Sequence, residues 1–206
     1  MKRIGWINGW AVPEDWFRQK VEESFPVAEH AIVAPTPGAL DRLEAGGPYD
    51  WVAGYSLGSL LLLREAERVS RLGRVALLAP IFAFPREAGA GGRVALVQLR
   101  QLKRWLRRDA RMALADFYRR AGLDVAVADG AEFTTAEMGA LLWGLEQLER
   151  EGVAPGLPDG WCSWCGSADP LLDAAWLREL SPKIVVVGGV GHDPAGLLRK
   201  FEEVVA

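Results

Sequence analysis

The sequence predicts an α/β fold in a single domain over 1–206: a compact, mostly parallel sheet carrying one helical insertion at about 81–158. Three observations predict it. Short apolar runs alternate with helical patterns along most of the chain. The runs are continuously apolar, as in strands buried on both faces, and do not alternate apolar with polar. The alternation breaks once, between Pro80 and about Pro158, where the pattern reads as helices alone. Half of the 206 residues are apolar, enough for one substantial core.

Strands are expected at Ile4–Ile7, Ala31–Ala34, Trp51–Ala53, Val75–Leu78, Trp161–Cys165 and Ile184–Val187. Pro13 suits a first helical turn, and Glu14 and Asp15 favour the positive end of the helix dipole, so a helix should start there. A second helix follows Ser56 through 59–67, a third follows Pro170, and the last runs from about Pro194 to Val205. Within the insertion, a helix from about Val94 to Arg108 sets Val94, Leu99, Leu102 and Leu106 near one face, and another spans roughly Met112 to Arg120. Thr134 with Glu137 makes a capping box, after which Met138, Leu141, Leu142, Leu145 and Leu148 form an apolar stripe ending before Gly152. Strands alternating with helices imply right-handed crossovers, and a helical insertion between two strands is expected to lie over an active site. No repeat or low-complexity linker divides the chain.

Composition removes several classes of function. A net charge of −3 gives no global reason to expect a nucleic-acid partner. The N-terminal residues show no signal-peptide pattern, and no apolar run approaches the ~18 residues that would span a bilayer, so a soluble cytoplasmic protein is expected, acting as a monomer. The two cysteines, Cys162 and Cys165, cannot build a disulfide framework. A zinc site would need both histidines, His30 and His192, brought to those cysteines, so neither metal nor cofactor is expected.

The chemistry centres on Gly54-Tyr55-Ser56-Leu57-Gly58, which follows directly on a strand and opens a helix. A sharp strand-to-helix turn strains the serine backbone and holds its Oγ out above the sheet; the glycines are needed because a Cβ at either place would crowd the neighbouring strand and helix. A serine hydroxyl needs a base to take its proton and a third group to fix the base's tautomer. His30 precedes a strand, at the wrong edge of the sheet. His192 follows the last strand, at the carboxyl edge where catalytic loops sit, and is the expected base. Asp169, just past the penultimate strand, is the expected acid, with Asp173 and Asp193 as fallbacks; Asp169 could also be read as the cap of the helix begun by Pro170. Acyl transfer further needs donors aimed at the oxyanion. The backbone N–H of Leu57 supplies one, and that of Trp10, in Asn8-Gly9-Trp10-Ala11 after the first strand, supplies the second. The order Ser56, Asp169, His192 is that of the α/β-hydrolases.

Two lookalikes fall away. Cys162-Ser163-Trp164-Cys165 matches C-x-x-C, but residues three apart on a strand face opposite sides, so both cysteines read as buried small residues. Gly188-Gly189-Val190-Gly191 suggests a nucleotide loop, yet Pro194 stands where the third glycine belongs.

With Asn8-Gly9-Trp10, Gly54-Tyr55-Ser56-Leu57-Gly58, Gly166-Ser167-Ala168-Asp169-Pro170 and Gly191-His192-Asp193, the sequence resembles the pimeloyl-acyl-carrier-protein methyl ester esterases of biotin synthesis, within the α/β-hydrolase superfamily. The resemblance covers the catalytic core and leaves the insertion unaligned. It implies an α/β-hydrolase fold with a helical cap. It implies a Ser56–Asp169–His192 triad with oxyanion donors at Trp10 and Leu57, and cap arginines that meet an acidic acyl carrier protein. The chain departs from the family in having Asn8 where a histidine is usual and in starting directly at the third strand of the full fold.

The insertion carries an independent signal. From Arg86 to Arg120 ten cations stand against Glu87, Asp109 and Asp116, a local net of +7, which leaves −10 on the rest. Arg100, Arg104, Arg107, Arg108 and Arg111 recur at helical spacing and should form one basic stripe suited to an acidic partner. The same triad would serve a thioesterase or a general short-chain carboxylesterase. A non-catalytic binding protein on this fold is the alternative of another class, and RNA binding is disfavoured because Trp105 is the lone aromatic interleaved with the stripe.

Overall fold

The computed structural model describes residues 1–128, 130 and 132–205. Six parallel strands form the main sheet: β1 (Arg3–Ile7), β2 (Glu29–Val33), β3 (Trp51–Tyr55), β4 (Arg74–Leu78), β7 (Cys162–Gly166) and β8 (Ile184–Val187), in the order β2-β1-β3-β4-β7-β8. The chain runs outward from β1 to β2, then returns to β3 on the other side of β1. Strand order therefore reverses between β1 and β3, and the carboxyl ends of strands at such a switch point open a crevice for ligands.

Period-two alternation along β1 assigns the two faces. Trp6 points to one, where it packs edge-on against Phe17 of α1 (Glu14–Ser24) and Phe201 of α9 (Pro194–Val205), and Trp51 and Trp164 also meet Phe201. Gly5 points to the other, where an added Cβ would lie 2.9 Å from Leu43 of α2 (Ala39–Ala45). On that same face α3 (Leu57–Arg64) packs on β3, followed by the short α4 (Ala66–Val69). The helix α8 (Ala174–Leu180) lies beside β8, capped by Asp173, whose Oδ1 accepts from the Trp176 amide at 3.1 Å.

The excursion between β4 and β7 holds α5 (Leu96–Arg108), α6 (Ala110–Ala121) and α7 (Thr135–Arg150), close to the expected spans. Thr134 and Glu137 do form the reciprocal capping box. The expectation of helices alone is corrected: Ala83–Pro85 (β5) and Gly91–Val94 (β6) pair in parallel as a second, two-stranded sheet. Three- and four-residue strands containing Pro85, Gly91 and Gly92 carry almost no periodicity to read. The single basic stripe is corrected too. Asp109, at φ −157°, ends α5 and caps α6, accepting from the Met112 amide at 3.0 Å, so Arg111 belongs to the next helix.

Candidate active site

The crevice at the switch point gathers three loops. The first leaves β3, where Ser56 takes φ 53°, ψ −116° and the helix α3 begins at once. A Cβ on Gly54 would stand 2.8 Å from Leu62 and 2.9 Å from Gly58, and one on Gly58 would run into the carbonyls of Ile7 and Asn8. The two glycines thus let the turn close against the end of β1. Ser56 donates its amide to Leu78 O at 2.9 Å, and Ser59 Oγ donates to Ser56 O at 2.6 Å. Ser56 is 8% exposed.

The second loop leaves β8. His192, buried, places Nε2 at 3.1 Å from Ser56 Oγ and Nδ1 at 2.7 Å from Asp169 Oδ2. The third loop leaves β7 and carries Asp169, which has no exposed surface. Its Oδ1 accepts from the amides of Leu171 at 2.8 Å and Leu172 at 3.1 Å, leaving Oδ2 for the histidine. This geometry suits a His192 tautomer that donates Nδ1–H to Asp169 Oδ2 and presents Nε2 as the acceptor for the serine hydroxyl. Asp169 therefore does not cap α8. Asp173 does, with an ion pair to Arg93 at 3.6 Å, and Asp193 accepts from the Ala195 amide at 2.9 Å. Neither fallback carboxylate makes a bond to His192 among the described residues.

Across the crevice, Asn8 is buried and its Nδ2 donates to Val12 O at 3.0 Å, curling the loop after β1; Ala11 within it has φ 58°. Among the described residues the Trp10 and Leu57 amides have no acceptor. The Trp10 ring is buried, packs edge-on against Phe117 at 4.6 Å between centroids and donates Nε1 to Leu141 O at 2.8 Å, so this loop is fastened to α6 and α7. Tyr118 OH, donating to Ala11 O at 2.5 Å, adds a second tie. A cavity of about 410 Å³ lies under α5, α6 and α7, walled by Trp10, Leu99, Leu102, Phe117 and Leu145 and, from the acid loop, Leu171. Ser56 itself does not line it.

Two features here escaped sequence reasoning. The strand β6 straps the acid loop: the Arg93 amide donates to Leu171 O at 2.9 Å, the Asp173 amide to Gly91 O at 2.7 Å, and Arg93 Nη1 to Asp169 O at 3.1 Å. Tyr55 OH donates to His192 O at 2.8 Å. Bonds across such sequence separations leave no local signal.

The remaining expected residues are placed as follows. His30 lies within β2; its Nδ1 accepts from Trp6 Nε1 at 3.1 Å, its Nε2 meets Phe25 O at 3.2 Å, and burial lowers its pKa. Cys162 and Cys165 are free thiols; Cys165 is buried, which pushes its pKa up, whereas Cys162 is half-buried. Arg100 pairs with Glu149 at 2.9 Å, and Lys103 beside it pairs with Glu146 at 2.7 Å. Arg104, Arg107 and Arg108 are exposed on α5 and have no ion-pair partner among the described residues. No cluster of three metal-ligating side chains and no helix long and apolar enough to cross a membrane occurs among the described residues.

Solved structures share this architecture over its whole length. An esterase from Exiguobacterium antarcticum superimposes with a TM-score of 0.68 at 12% identity, covering 100% of this chain and 90% of its own. A type II thioesterase of the yersiniabactin biosynthetic pathway gives a TM-score of 0.60 at 17% identity, covering 99% and 91%. The chain has the α/β-hydrolase fold. A bottromycin epimerase is similar to the same degree, with a TM-score of 0.61 at 17% identity over 100% of this chain and 91% of its own. The α/β-hydrolase fold thus accommodates more than one chemistry, and activity must be argued from the site. No protein-family model matches the chain, and no curated protein matches it in sequence.

Proposed function

We propose that this α/β-hydrolase-fold protein is a serine hydrolase of carboxylic esters. One observation carries the reading: Ser56 Oγ, His192 and Asp169 form a continuous buried chain of hydrogen bonds, 3.1 and 2.7 Å long, on three loops at the switch point. His192 Nε2 takes the hydroxyl proton as Ser56 Oγ bonds to the ester carbonyl carbon. The resulting oxyanion is met by the amides of Trp10 and Leu57, and Asp169 stabilises the imidazolium. Collapse of the tetrahedral adduct breaks the ester C–O bond, His192 hands its proton to the departing alkoxide, and an acyl-enzyme on Ser56 remains. Water, deprotonated by His192, then attacks the acyl carbon, and Ser56 leaves with the proton restored.

The finer reading is the methyl ester of a pimeloyl-type chain borne on acyl carrier protein, as in biotin synthesis. It is supported by the sequence resemblance, by the cavity beside the acid loop and by Arg104, Arg107 and Arg108 of α5, which lack ion-pair partners among the described residues. The same triad would open a thioester, so the two linkages on one acyl chain are the comparison that separates them.

The test of the central claim is hydrolysis of p-nitrophenyl butyrate without added metal. Ser56→Ala and His192→Ala should each lower kcat by about 10³-fold or more. Undiminished turnover in Ser56→Ala would remove the proposal. For the finer reading, the gene should restore growth without biotin to a strain lacking its pimeloyl methyl ester esterase.

A further inference from the structure

We propose that Tyr55 is a positioning residue for the base, holding His192 over Ser56 through the histidine's own backbone. The inference rests on the serine hydrolase reading of the same site. In the sheet, β8 is three strands from β3, about 14 Å at the ~4.8 Å spacing of neighbouring strands. The loop carrying His192 must therefore cross the ends of β7 and β4 to bring its imidazole to the serine.

That span is fastened at two points. Midway, Ala168 donates its amide to Val190 O at 2.9 Å, and Gly166 at the end of β7 has no room for a Cβ beneath Val190 and Gly191. At the far end Tyr55 OH donates to His192 O at 2.8 Å. The phenol belongs to the last residue of β3, immediately before the serine, so nucleophile and base loop share one anchor. The ring also reaches the oxyanion side: a Cβ on Gly9 would stand 3.0 Å from its edge. Phe17 stacks on the ring at 5.7 Å and 14°, fixing its plane. Tyr55 is fully buried, and burial holds its hydroxyl protonated well above the ordinary range, so it remains a donor throughout the working pH of an esterase. His192's ring nitrogens are engaged by Ser56 and Asp169, and the carbonyl bond supplies a third restraint that neither provides.

Tyr55→Phe deletes the donor and keeps the ring, its stacking and its fit against Gly9. With p-nitrophenyl butyrate kcat should fall about tenfold while KM stays within twofold, since the buried hydroxyl bonds the His192 backbone and not substrate. The rate of Ser56 labelling by a fluorophosphonate should fall in parallel, because it reads attack by the hydroxyl alone. A merely structural tyrosine would give a lower unfolding temperature with wild-type kcat and labelling rate per folded molecule, and that result overturns the proposal. An equal loss with Tyr55→Phe and a rise in KM of tenfold or more would also overturn it, by placing the residue at the substrate. A wild type inert towards both probes would bring down the hydrolase reading and this inference with it, whereas an active wild type matched by an equally active Tyr55→Phe removes this inference alone.

Discussion

At the scale of single residues, the acid shows how position and occupation differ. Asp173 and Asp193 follow the same strands as Asp169 and His192, yet each already serves a helix start or a turn amide. Asp169 alone has one oxygen held by two amides and the other turned to the histidine. Asp169→Asn keeps an acceptor for Leu171 and Leu172 but turns an amide N–H toward His192 Nδ1. The ring must then accept there and carry its proton on Nε2, the wrong tautomer to receive one from serine. Its kcat should fall by about 10⁴, measured at saturating p-nitrophenyl butyrate, with the unfolding temperature little changed. Asp173→Asn and Asp193→Asn should remain within a few-fold of wild type, and a severe loss in either would transfer the role to that residue. The three triad positions were legible in the sequence because each follows a strand at the carboxyl edge, where strand direction alone decides the side. The Tyr55 bond was not, because the partners stand 137 residues apart and only the folded sheet brings them together.

Elements fold here as much by what they leave out as by what they bury. Gly58 sits where α3 meets the end of β1, and a methyl group there would overlap the backbone of Ile7 and Asn8, which cannot rotate away as a side chain can. Gly58→Ala should destabilise by at least about 3 kcal/mol, read as the urea midpoint at fixed m. Gly139, inside α7 with open space around it, is the matched control: Gly139→Ala should be stabilising by about 0.5–1 kcal/mol through helix propensity. If both changes have the same sign, close approach is not what Gly58 provides. The long elements were readable for related reasons. The capping box of α7 and the continuous apolar strands announce themselves locally, whereas β5 and β6 are set by bonds to each other and to segments distant in sequence. The start of α8 moved from Pro170 to Ala174 because the acid loop first has to wrap its amides around Asp169.

Over the whole molecule the charge is unevenly spread, with a local net of +7 confined to 86–120 of the excursion and −10 on the rest of the chain. Ion pairs at Arg100 and Lys103 hold α5 against α7, while Arg104, Arg107 and Arg108 are left facing outward. Reversing those three to Glu should raise KM for an acyl-carrier-protein ester by tenfold or more and leave kcat/KM for p-nitrophenyl butyrate within twofold. Raising ionic strength from about 0.1 M towards 1 M, which shortens the Debye length from ~10 to ~3 Å, should weaken wild type on the carrier-borne substrate alone. Parallel losses on both substrates would mean that the arginines hold the excursion together, and no loss on either would leave them an ordinary solvated face. The sequence foretold the local excess of cations and a break between helices ending near Arg108 and starting near Met112; the cap at Asp109 puts Arg111 on the second helix, out of line with the arginines of α5.

The strap between β6 and the acid loop bears on how freely such a protein could be re-engineered. Helical excursions over a hydrolase sheet invite treatment as interchangeable modules, to be swapped so that one catalytic body serves a new substrate. Here the graft boundary would cut through the support of the acid itself, because Gly91 and Arg93 of the excursion carry the backbone bonds that fix Leu171 and Asp173. A transplanted lid would have to begin after Val94, with 83–94 left in the recipient, or bring an edge strand of its own. The excursion and the support of Asp169 are therefore inherited together along this stretch of chain, and the helices beyond it can diverge only where the loop after β1 keeps its ties to Phe117, Tyr118 and Leu141.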